Sequence, residues 1–418
     1  MARANVCDSC RQFVAIGTVE LEQQTRRIGP LAFPFPAAAD QVIALARLSG
    51  LEGFSRSVVT GVVPVVALDA LGGKAAVSYV YLVGAFLTLG VSLNLGTFER
   101  HLPRRWLLTS AICCTLTASA VFAFVDGSLI AIAIALMSVA ASVFSVCVSL
   151  FVMDVVAKQD LARNESRRIG YHGVAWLVGP SLGLWAWERV GHVVPFALSA
   201  GTALLVLSYF RSLQLAPADK ARTVPTTNPL RTVPRYFSQR RLRVAYAITT
   251  TRSIFWFAVF VYGPIYVIEA GLPAWVGGAL LSFVSSLLLF SHVVNRVAGN
   301  RGVRWIVLCS FGTIAAGALL LALIGDARPI GLLAWVLAAV GGAALDVVGN
   351  IPFMRLVRPR ERVPMTGVFS TWREVSSLLA PALAALSLAL GSFRIFDVLL
   401  AALSLATALA ATSLPRRL

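Results

Sequence analysis

The chain has 418 residues, of which 58% are hydrophobic and only 13% are charged, and its net charge is +17. A soluble domain carries about 25% charged residues, so this apolar excess is too large for one soluble core. The apolar residues are spread along the whole chain, which indicates a protein with many membrane spans.

Residues 1–44 precede the first apolar stretch and are mostly polar. They contain no apolar core followed by a small-residue cleavage site, so we predict a cytoplasmic, largely disordered extension rather than a signal peptide. Cys7 and Cys10 have the spacing of a metal or redox pair. One such pair is weak evidence, and no metal site is predicted from it.

Twelve apolar stretches follow, and each is long enough to cross about 30 Å of hydrocarbon as an α-helix. They lie at residues 46–69, 76–97, 106–125, 128–156, 168–188, 193–213, 243–268, 274–295, 304–325, 329–354, 366–389 and 393–413. Aromatic residues such as Tyr79, Trp106 and Trp305 lie at span ends, as interfacial residues do. We therefore predict an all-α integral membrane protein with twelve transmembrane helices.

The basic residues predict the orientation of these spans. With the N-terminus inside, the inner segments carry most of the 36 Lys and Arg residues, and the outer loops carry only Lys74, Arg189, Arg328 and Arg394. This asymmetry is the positive-inside pattern, and it predicts a multi-pass protein of the cell inner membrane with both termini in the cytoplasm. Because the basic charge alternates with loop parity, it forms no single patch for nucleic acid, and no nucleic-acid partner is predicted.

The two halves of the chain resemble each other. An offset of 196 residues relates Arg56 to Arg252, and an offset of 201 relates His172 to Arg373. Spans one and seven then run in the same direction, so the repeat is parallel and a solute site is expected between the halves near the midplane. The predicted domains are an N-terminal six-helix bundle at 45–213, a cytoplasmic linker at 214–242 and a C-terminal six-helix bundle at 243–414.

The loop between spans two and three reads GTFERHLPRR and contains Gly96, Glu99, Arg100, Arg104 and Arg105. It resembles the signature loop of the major facilitator superfamily, roughly G-x-x-x-D-R-x-G-R-R, with Glu99 in place of the Asp. In that superfamily the loop is thought to govern conformational switching, for which a Glu–Arg pair at the cytoplasmic side is suited. The alternative is a plain basic loop that only sets topology.

Two further segments resemble the same superfamily. Asn295 and Arg296 form a fainter copy of the loop in the second half, and Gly179, Pro180 and Gly183 in span five look like part of its antiporter motif. Alternatively, the span-five residues form an ordinary packing kink, because Pro interrupts the helical hydrogen bonds and Gly permits close packing. The resemblance implies two pseudo-symmetric six-helix bundles and secondary transport by alternating access.

Two arginines at membrane depth are the strongest candidates for solute binding, because charge is costly there. Arg56 lies nine residues after Arg47, which places it about 13 Å deep at 1.5 Å per residue. Arg252 occupies the same place in the second half. In the superfamily their helices line the central cavity, so the two guanidinium groups are predicted to clamp an anionic group. Alternatively, Arg56 pairs with Glu52, one helical turn before it.

Other ionisable residues in the spans are candidates for proton coupling or for charge pairing. They are Glu52, Asp346, His172, Arg373 and Glu374. A buried carboxyl group holds a proton more readily than an exposed one, which makes reversible protonation feasible. Each acid can instead neutralise an arginine, and His172 can instead be a packed, hydrogen-bonded histidine.

No motif of a metalloprotease, a serine hydrolase or a nucleotide-binding loop is present, so we predict neither an enzyme nor a cofactor. The chain is predicted to be a monomeric secondary transporter in the lipid bilayer that carries a small-molecule solute, leaning to an organic anion or a phosphoester, with protons as a second transported species. One alternative is a proton-coupled exporter of drug-like apolar or cationic compounds, which the aromatic residues of span seven favour. Another is a transport-dead membrane scaffold or sensor.

Overall fold

The computed structural model describes residues 38–155, 161–213, 229–357 and 361–415. Within these ranges the secondary structure is helical, with no β-strand. Cys7, Cys10 and most of the predicted N-terminal extension lie outside the described residues, as does the first part of the predicted linker. The described residues from Val42 onwards form one compact unit.

The helices of the described residues are, in chain order, α1 (Ala38–Thr60), α2 (Val62–Leu71), α3 (Lys74–His101), α4 (Arg104–Phe124), α5 (Leu129–Val155), α6 (Leu161–Arg189), α7 (Val194–Ser212), α8 (Pro229–Ser238), α9 (Arg240–Glu269), α10 (Ala274–Ser286), a 3-10 helix (Leu287–Phe290), α11 (Ser291–Arg301), α12 (Val303–Ile324), α13 (Gly331–Val348), α14 (Ile351–Leu356), α15 (Arg362–Ser370), α16 (Trp372–Ala389) and α17 (Arg394–Ala411).

Ten segments in the described part of the chain are long and apolar enough to cross a membrane as helices. Helices are the expected form, because a backbone in hydrocarbon must satisfy its own hydrogen bonds. The ten account for predicted spans one to four, six to ten and twelve, so the all-α membrane fold is confirmed. Predicted spans five and eleven correspond to α6 and α16, which are helical but carry more polar residues. The predicted count of twelve is therefore confirmed for ten spans.

Several predicted spans are broken where the sequence predicts one continuous helix. Span one breaks at Gly61, three residues before Pro64. The Pro ring has no N–H to donate to the carbonyl of Thr60, so the helical hydrogen bonds are interrupted there. Span ten breaks at Gly349, just before Pro352. Both breaks lie near residues that line the cavities described below.

The helices α1 and α6 approach each other through glycine. A Cβ atom at Gly183 would overlap the carbonyl oxygen of Val58, and one at Gly179 would overlap the Ser57 hydroxyl. The Ser57 hydroxyl donates to the Ala175 carbonyl at 2.9 Å. Small residues at this contact let two membrane helices meet at backbone distance. Helix α6 continues through Pro180. Gly179 and Gly183 of the predicted span-five motif therefore lie in a tight contact between two helices.

The Gly183→Ala variant should destabilise the protein, because the added methyl group forces α1 and α6 apart. Overpacking of this kind costs about 1–3 kcal/mol. We expect a lower midpoint of thermal unfolding in detergent. Gly173→Ala, in the same helix, is the control, since a Cβ atom there meets no heavy atom within 4 Å. Equal midpoints for the two variants would contradict this account of the contact.

The last part of the predicted linker is a helix, α8, that packs against the second half. Tyr236 is fully buried, and its hydroxyl donates to the Leu242 carbonyl at 3.1 Å. Burial, and to a lesser extent the neighbouring Tyr246, raise the pKa of the Tyr236 phenol, which keeps it protonated as a donor. Arg235 forms an ion pair with Glu361. These contacts attach α8 to the end of the bundle where α15 begins.

We call the end that carries Arg104, Arg168 and Arg301 the Arg-rich end. The other end, which carries Lys74 and Asp326, is called the opposite end.

Candidate functional site

Two neighbouring cavities lie between the two halves of the bundle, with volumes of about 540 Å³ and 830 Å³. Both volumes fall within the range of pockets for drug-sized ligands. The larger cavity extends toward the Arg-rich end, where Arg168 lines it. Both cavities are lined by the same five residues, which we call the shared wall: Arg56, Trp176, Ser253, Trp256 and Phe260.

Arg56 of α1 lies on the shared wall and has weak partners. Its Nη1 atom is 3.7 Å from Glu52 Oε1, and its Nη2 atom is 3.4 Å from His172 Nε2. These distances are at or beyond the outer range of N–H hydrogen bonds. Its buried Nε atom has no hydrogen-bond partner among the described residues. The guanidinium group therefore retains donor capacity for an acceptor in the cavity.

His172 explains why Arg56 is weakly bound. Trp176 Nε1 donates to His172 Nε2 at 2.8 Å, so this ring nitrogen is the acceptor of a neutral imidazole. The other ring nitrogen lies 3.4 Å from the Ser49 carbonyl. Gly53 makes room for the ring, because a Cβ atom there would lie 2.5 Å from His172 Nδ1. With its acceptor already used by Trp176, His172 offers little to Arg56.

Arg252, in contrast to Arg56, is buried and has close hydrogen-bonding and ionic partners. It is only 6% exposed, its Nε atom is 3.3 Å from Asp346 Oδ1, and its Nη1 atom donates to the Leu345 carbonyl at 3.2 Å. Its guanidinium carbon lies 5.2 Å from the centroid of the Trp372 ring. Arg252 lines neither of the two cavities, whereas Asp346 lines the larger one. The structure therefore differs from the predicted arrangement of two arginines that face each other, because an acid on span ten holds the second one.

The cation that shares the smaller cavity with Arg56 is Arg373 of α16. Its guanidinium carbon lies 5.3 Å from the Trp372 ring centroid. Hydroxyl groups lie in the same cavity, and Ser376 donates to Ser253 at 2.8 Å. Glu374, the sequence neighbour of Arg373, is partly buried. The structure thus brings Arg56 and Arg373 to one cavity.

The predicted switch loop lies at the Arg-rich end. Arg104 donates from Nε to Glu99 Oε1 at 2.8 Å, and Arg105 is exposed. Gly96 and Arg100 lie in α3, but their side-chain surroundings fall outside the described residues. Among the described residues of the loop, Glu99 and Arg104 thus form an ion pair beside the start of α4. In the second half, the corresponding residues Asn295 and Arg296 are exposed on α11.

The opposite end is closed by contacts between the two halves. Lys74 Nζ lies 2.5 Å from Glu269 Oε2 and 4.7 Å from the centroid of the Phe393 ring. The hydroxyls of Ser78 and Tyr262 share a hydrogen bond of 2.7 Å. These contacts tie α3 to the C-terminal half, while the larger cavity extends the other way. The bundle is thus open toward the Arg-rich end.

The sequence matches the model of the Major Facilitator Superfamily over residues 46–301. The comparison with curated protein sequences gives no match. Among solved structures, the nucleoside transporter NupG is similar with a TM-score of 0.71 at 13% identity, covering 89% of this chain and 98% of that one. A POT family transporter in complex with 5-aminolevulinic acid has a TM-score of 0.69 at 13% identity, covering 88% and 95%.

A third similar structure is a bacterial homologue of the iron transporter ferroportin in its inward-facing state. Its TM-score is 0.63 at 20% identity, covering 89% of this chain and 96% of that one. At these identities the likeness establishes the fold, and the family match extends over more than half of the sequence. The chain therefore belongs to the major facilitator superfamily, and it is a multi-pass membrane transporter rather than an enzyme.

Proposed function

We propose that the chain carries a small organic anion across the inner membrane by alternating access, with Arg56 as the residue that binds the anionic group. The observation that carries this proposal is the poor pairing of Arg56 at the wall of both cavities. Donors left unpaired in a buried site are unfavourable, so an acceptor on the solute stabilises them. Arg373 adds a second positive group to the smaller cavity.

Arg252 joins this site only when Asp346 releases it. Asp346 lines the larger cavity, so a proton from the solvent can reach its carboxylate. Protonation removes the charge that holds Arg252 at 3.3 Å. In our proposal, Asp346 is the proton-coupling residue, and its protonation frees Arg252 to act together with Arg56. Between transport events, Glu52 is the acidic partner of Arg56.

The Arg-rich end is proposed to face the cytoplasm, since basic loops remain on that side of the membrane. The cavity that extends to this end then represents an inward-open state.

Reporter fusions test the orientation. Fusions after residue 230 and after residue 415 are expected to give a cytoplasmic signal, because both sites belong to the side with the basic segments. A fusion in the short loop near Asp326 is the control and should report the outside. An external signal from either of the first two fusions would contradict the proposed topology.

A ligand panel tests the proposed solute class. Purified protein is heated with organic anions, namely glycerol 3-phosphate, citrate and benzoate, and with the cations tetraphenylphosphonium and ethidium. A ligand that binds the folded state raises the midpoint of unfolding. We expect stabilisation by at least one anion, and saturable uptake of that anion into proteoliposomes. Stabilisation by the cations alone would overturn the proposal.

One observation favours a second candidate, the export of cationic compounds. Glu52 and Asp346 line the larger cavity together with Trp176, Trp256 and Phe260, and aromatic faces attract cations. The same panel separates the two functions, because this candidate requires stabilisation by tetraphenylphosphonium and its efflux from cells. Failure to transport either class in proteoliposomes would contradict both candidates.

A further inference from the structure

We infer that the aromatic residues of the shared wall bind a ring of the solute, so that the transported anion is an aromatic carboxylate or a similarly planar aromatic oxyanion. This inference rests on the proposed anion transport and adds to it the part of the solute that carries no charge.

The three aromatic side chains come from both halves of the transporter. Trp176 lies on α6, and Trp256 and Phe260 lie on α9. The ring centroids of Trp176 and Phe260 are 4.9 Å apart in an edge-on arrangement, and those of Trp256 and Phe260 are 5.6 Å apart and nearly parallel. We call Trp176, Phe260 and Trp256 the aromatic row. A solute ring that contacts the aromatic row contacts both halves of the transporter at once.

The rings of Trp256 and Phe260 are accessible from both cavities, unlike two other aromatic residues of α9. Trp256 and Phe260 are partly exposed and line both cavities. Phe255 and Tyr262, also on α9, are each only 1% exposed and belong to the packed core. Core packing explains the burial of Phe255 and Tyr262, but it does not explain why Trp256 and Phe260 remain accessible from the cavities.

Two hydrogen-bond donors lie beside these faces. The Nε atom of Arg56 and the Nε1 atom of Trp256 are buried and form no hydrogen bond with the described residues, although the Asp346 carboxylate is close enough to interact with the Trp256 indole. Buried donors of this kind favour a ligand that brings acceptors. An aromatic carboxylate supplies a flat ring that can contact the aromatic residues of the shared wall, and oxygen atoms that can accept hydrogen bonds from Arg56 and Trp256.

A cationic aromatic solute fits the shared wall less well. The guanidinium carbon of Arg56 already lies 5.7 Å from the centroid of the Trp176 ring, so one positive charge occupies that π face. A second cation at the same face would be repelled, whereas an anion is attracted to the guanidinium group. The positive charge of Arg56 beside these aromatic rings therefore favours an anionic aromatic solute over a cationic one.

The test compares an aromatic acid with its saturated counterpart. Binding of 2-naphthoate and of decahydronaphthalene-2-carboxylate to the purified full-length protein is measured by isothermal titration calorimetry. The two acids share a carboxylate and a fused two-ring shape, and they differ in aromatic character. Since contacts between aromatic rings add to the effect of buried area, we expect 2-naphthoate to bind at least about fivefold more tightly.

Variants of the aromatic residues test whether the preference for the aromatic acid arises from these rings. Phe260→Leu and Trp176→Leu should bring the two affinities to within about twofold of each other, while Trp176→Phe should retain the preference for the aromatic acid. Trp187→Leu is the matched control, because Trp187 lies on the same helix as Trp176 but contacts the ring of His192 edge-on at the opposite end. The thermal midpoint of each variant verifies that it is folded.

The outcomes distinguish this inference from the proposed function. If the wild type binds both acids equally and Arg56→Gln weakens both, the ring site is overturned and the anion proposal stands. If neither acid binds, the ring inference is overturned and the anion panel alone decides the proposed function, whereas binding that Arg56→Gln leaves unchanged overturns the role of Arg56 and the ring inference together. A preference that persists in Phe260→Leu and in Trp176→Leu also overturns the ring site.

Discussion

The Arg252→Met and Asp346→Asn variants are each expected to unfold at a clearly lower temperature than the wild type. Each change removes one member of a buried ion pair and leaves the other without its counter-charge, which costs about 3–5 kcal/mol in protein interiors. The Asp346 side chain is 27% exposed and that of Arg252 only 7%. Because solvent can reach the acid, we expect the lower end of that range, about 3 kcal/mol. The midpoint of thermal unfolding in detergent measures the effect.

The double variant Arg252→Met/Asp346→Asn should recover most of this loss, because neither remaining side chain is charged. The control is the pair of Arg394 and Asp326 at the opposite end, which is 53% and 84% exposed. Arg394→Met should change the midpoint little, since exposed ion pairs contribute about 0–1 kcal/mol. A double variant as unstable as the single ones would contradict the ion-pair account. If Asp346 carries the coupled proton, the single variant Asp346→Asn loses transport against a gradient but keeps exchange at equal pH.

The second large effect is expected at Arg56, in solute binding rather than in stability. Arg56→Gln should weaken binding of the transported anion by at least about tenfold, or about 1.4 kcal/mol, with little change in the unfolding midpoint. Arg56→Lys should also weaken it, because Lys keeps the charge but loses the planar fork of donors. Arg211→Gln, at an exposed arginine at the end of α7, is the control. Calorimetric titration with the anion found in the panel measures the affinities.

A different outcome would assign Arg56 a purely structural role. If it only neutralises Glu52, removing both charges in Glu52→Gln/Arg56→Gln should restore the transport that Arg56→Gln loses. In that case Arg56 does not contact the solute, and the proposed binding site is wrong.

The fold was largely predictable, because each span has to be apolar over a length set by the bilayer. Spans five and eleven were harder, since α6 and α16 carry polar residues that reduce their hydropathy. The interruption of span one could be predicted from Pro64 alone, because proline has no N–H to form the helical hydrogen bond. The tight contact of α1 with α6 could be expected from Gly179 and Gly183, but their partners on α1 could not.

The candidate site was predictable only where partners lie on one helix. Glu52 and Arg56 are four residues apart, and the structure places them 3.7 Å from each other. Arg252 and Asp346 lie on different helices, and their contact depends on the rotation and depth of α13 against α9, which spacing along the chain does not encode. Trp176 was missed, although its position four residues after His172 puts both on one helical face.

The charges around the cavities have a consequence for the membrane potential. Two of the arginines have an acidic partner: Glu52 for Arg56, and Asp346 for Arg252. These two pairs carry no net charge, so their reorientation moves little net charge through the electric field. A bound monovalent anion adds its own charge, and moving one charge through 100 mV is worth about 2.3 kcal/mol. In a cell with a negative interior, the field then drives such an anion outward, and a cation that travels with it would remove this barrier to uptake.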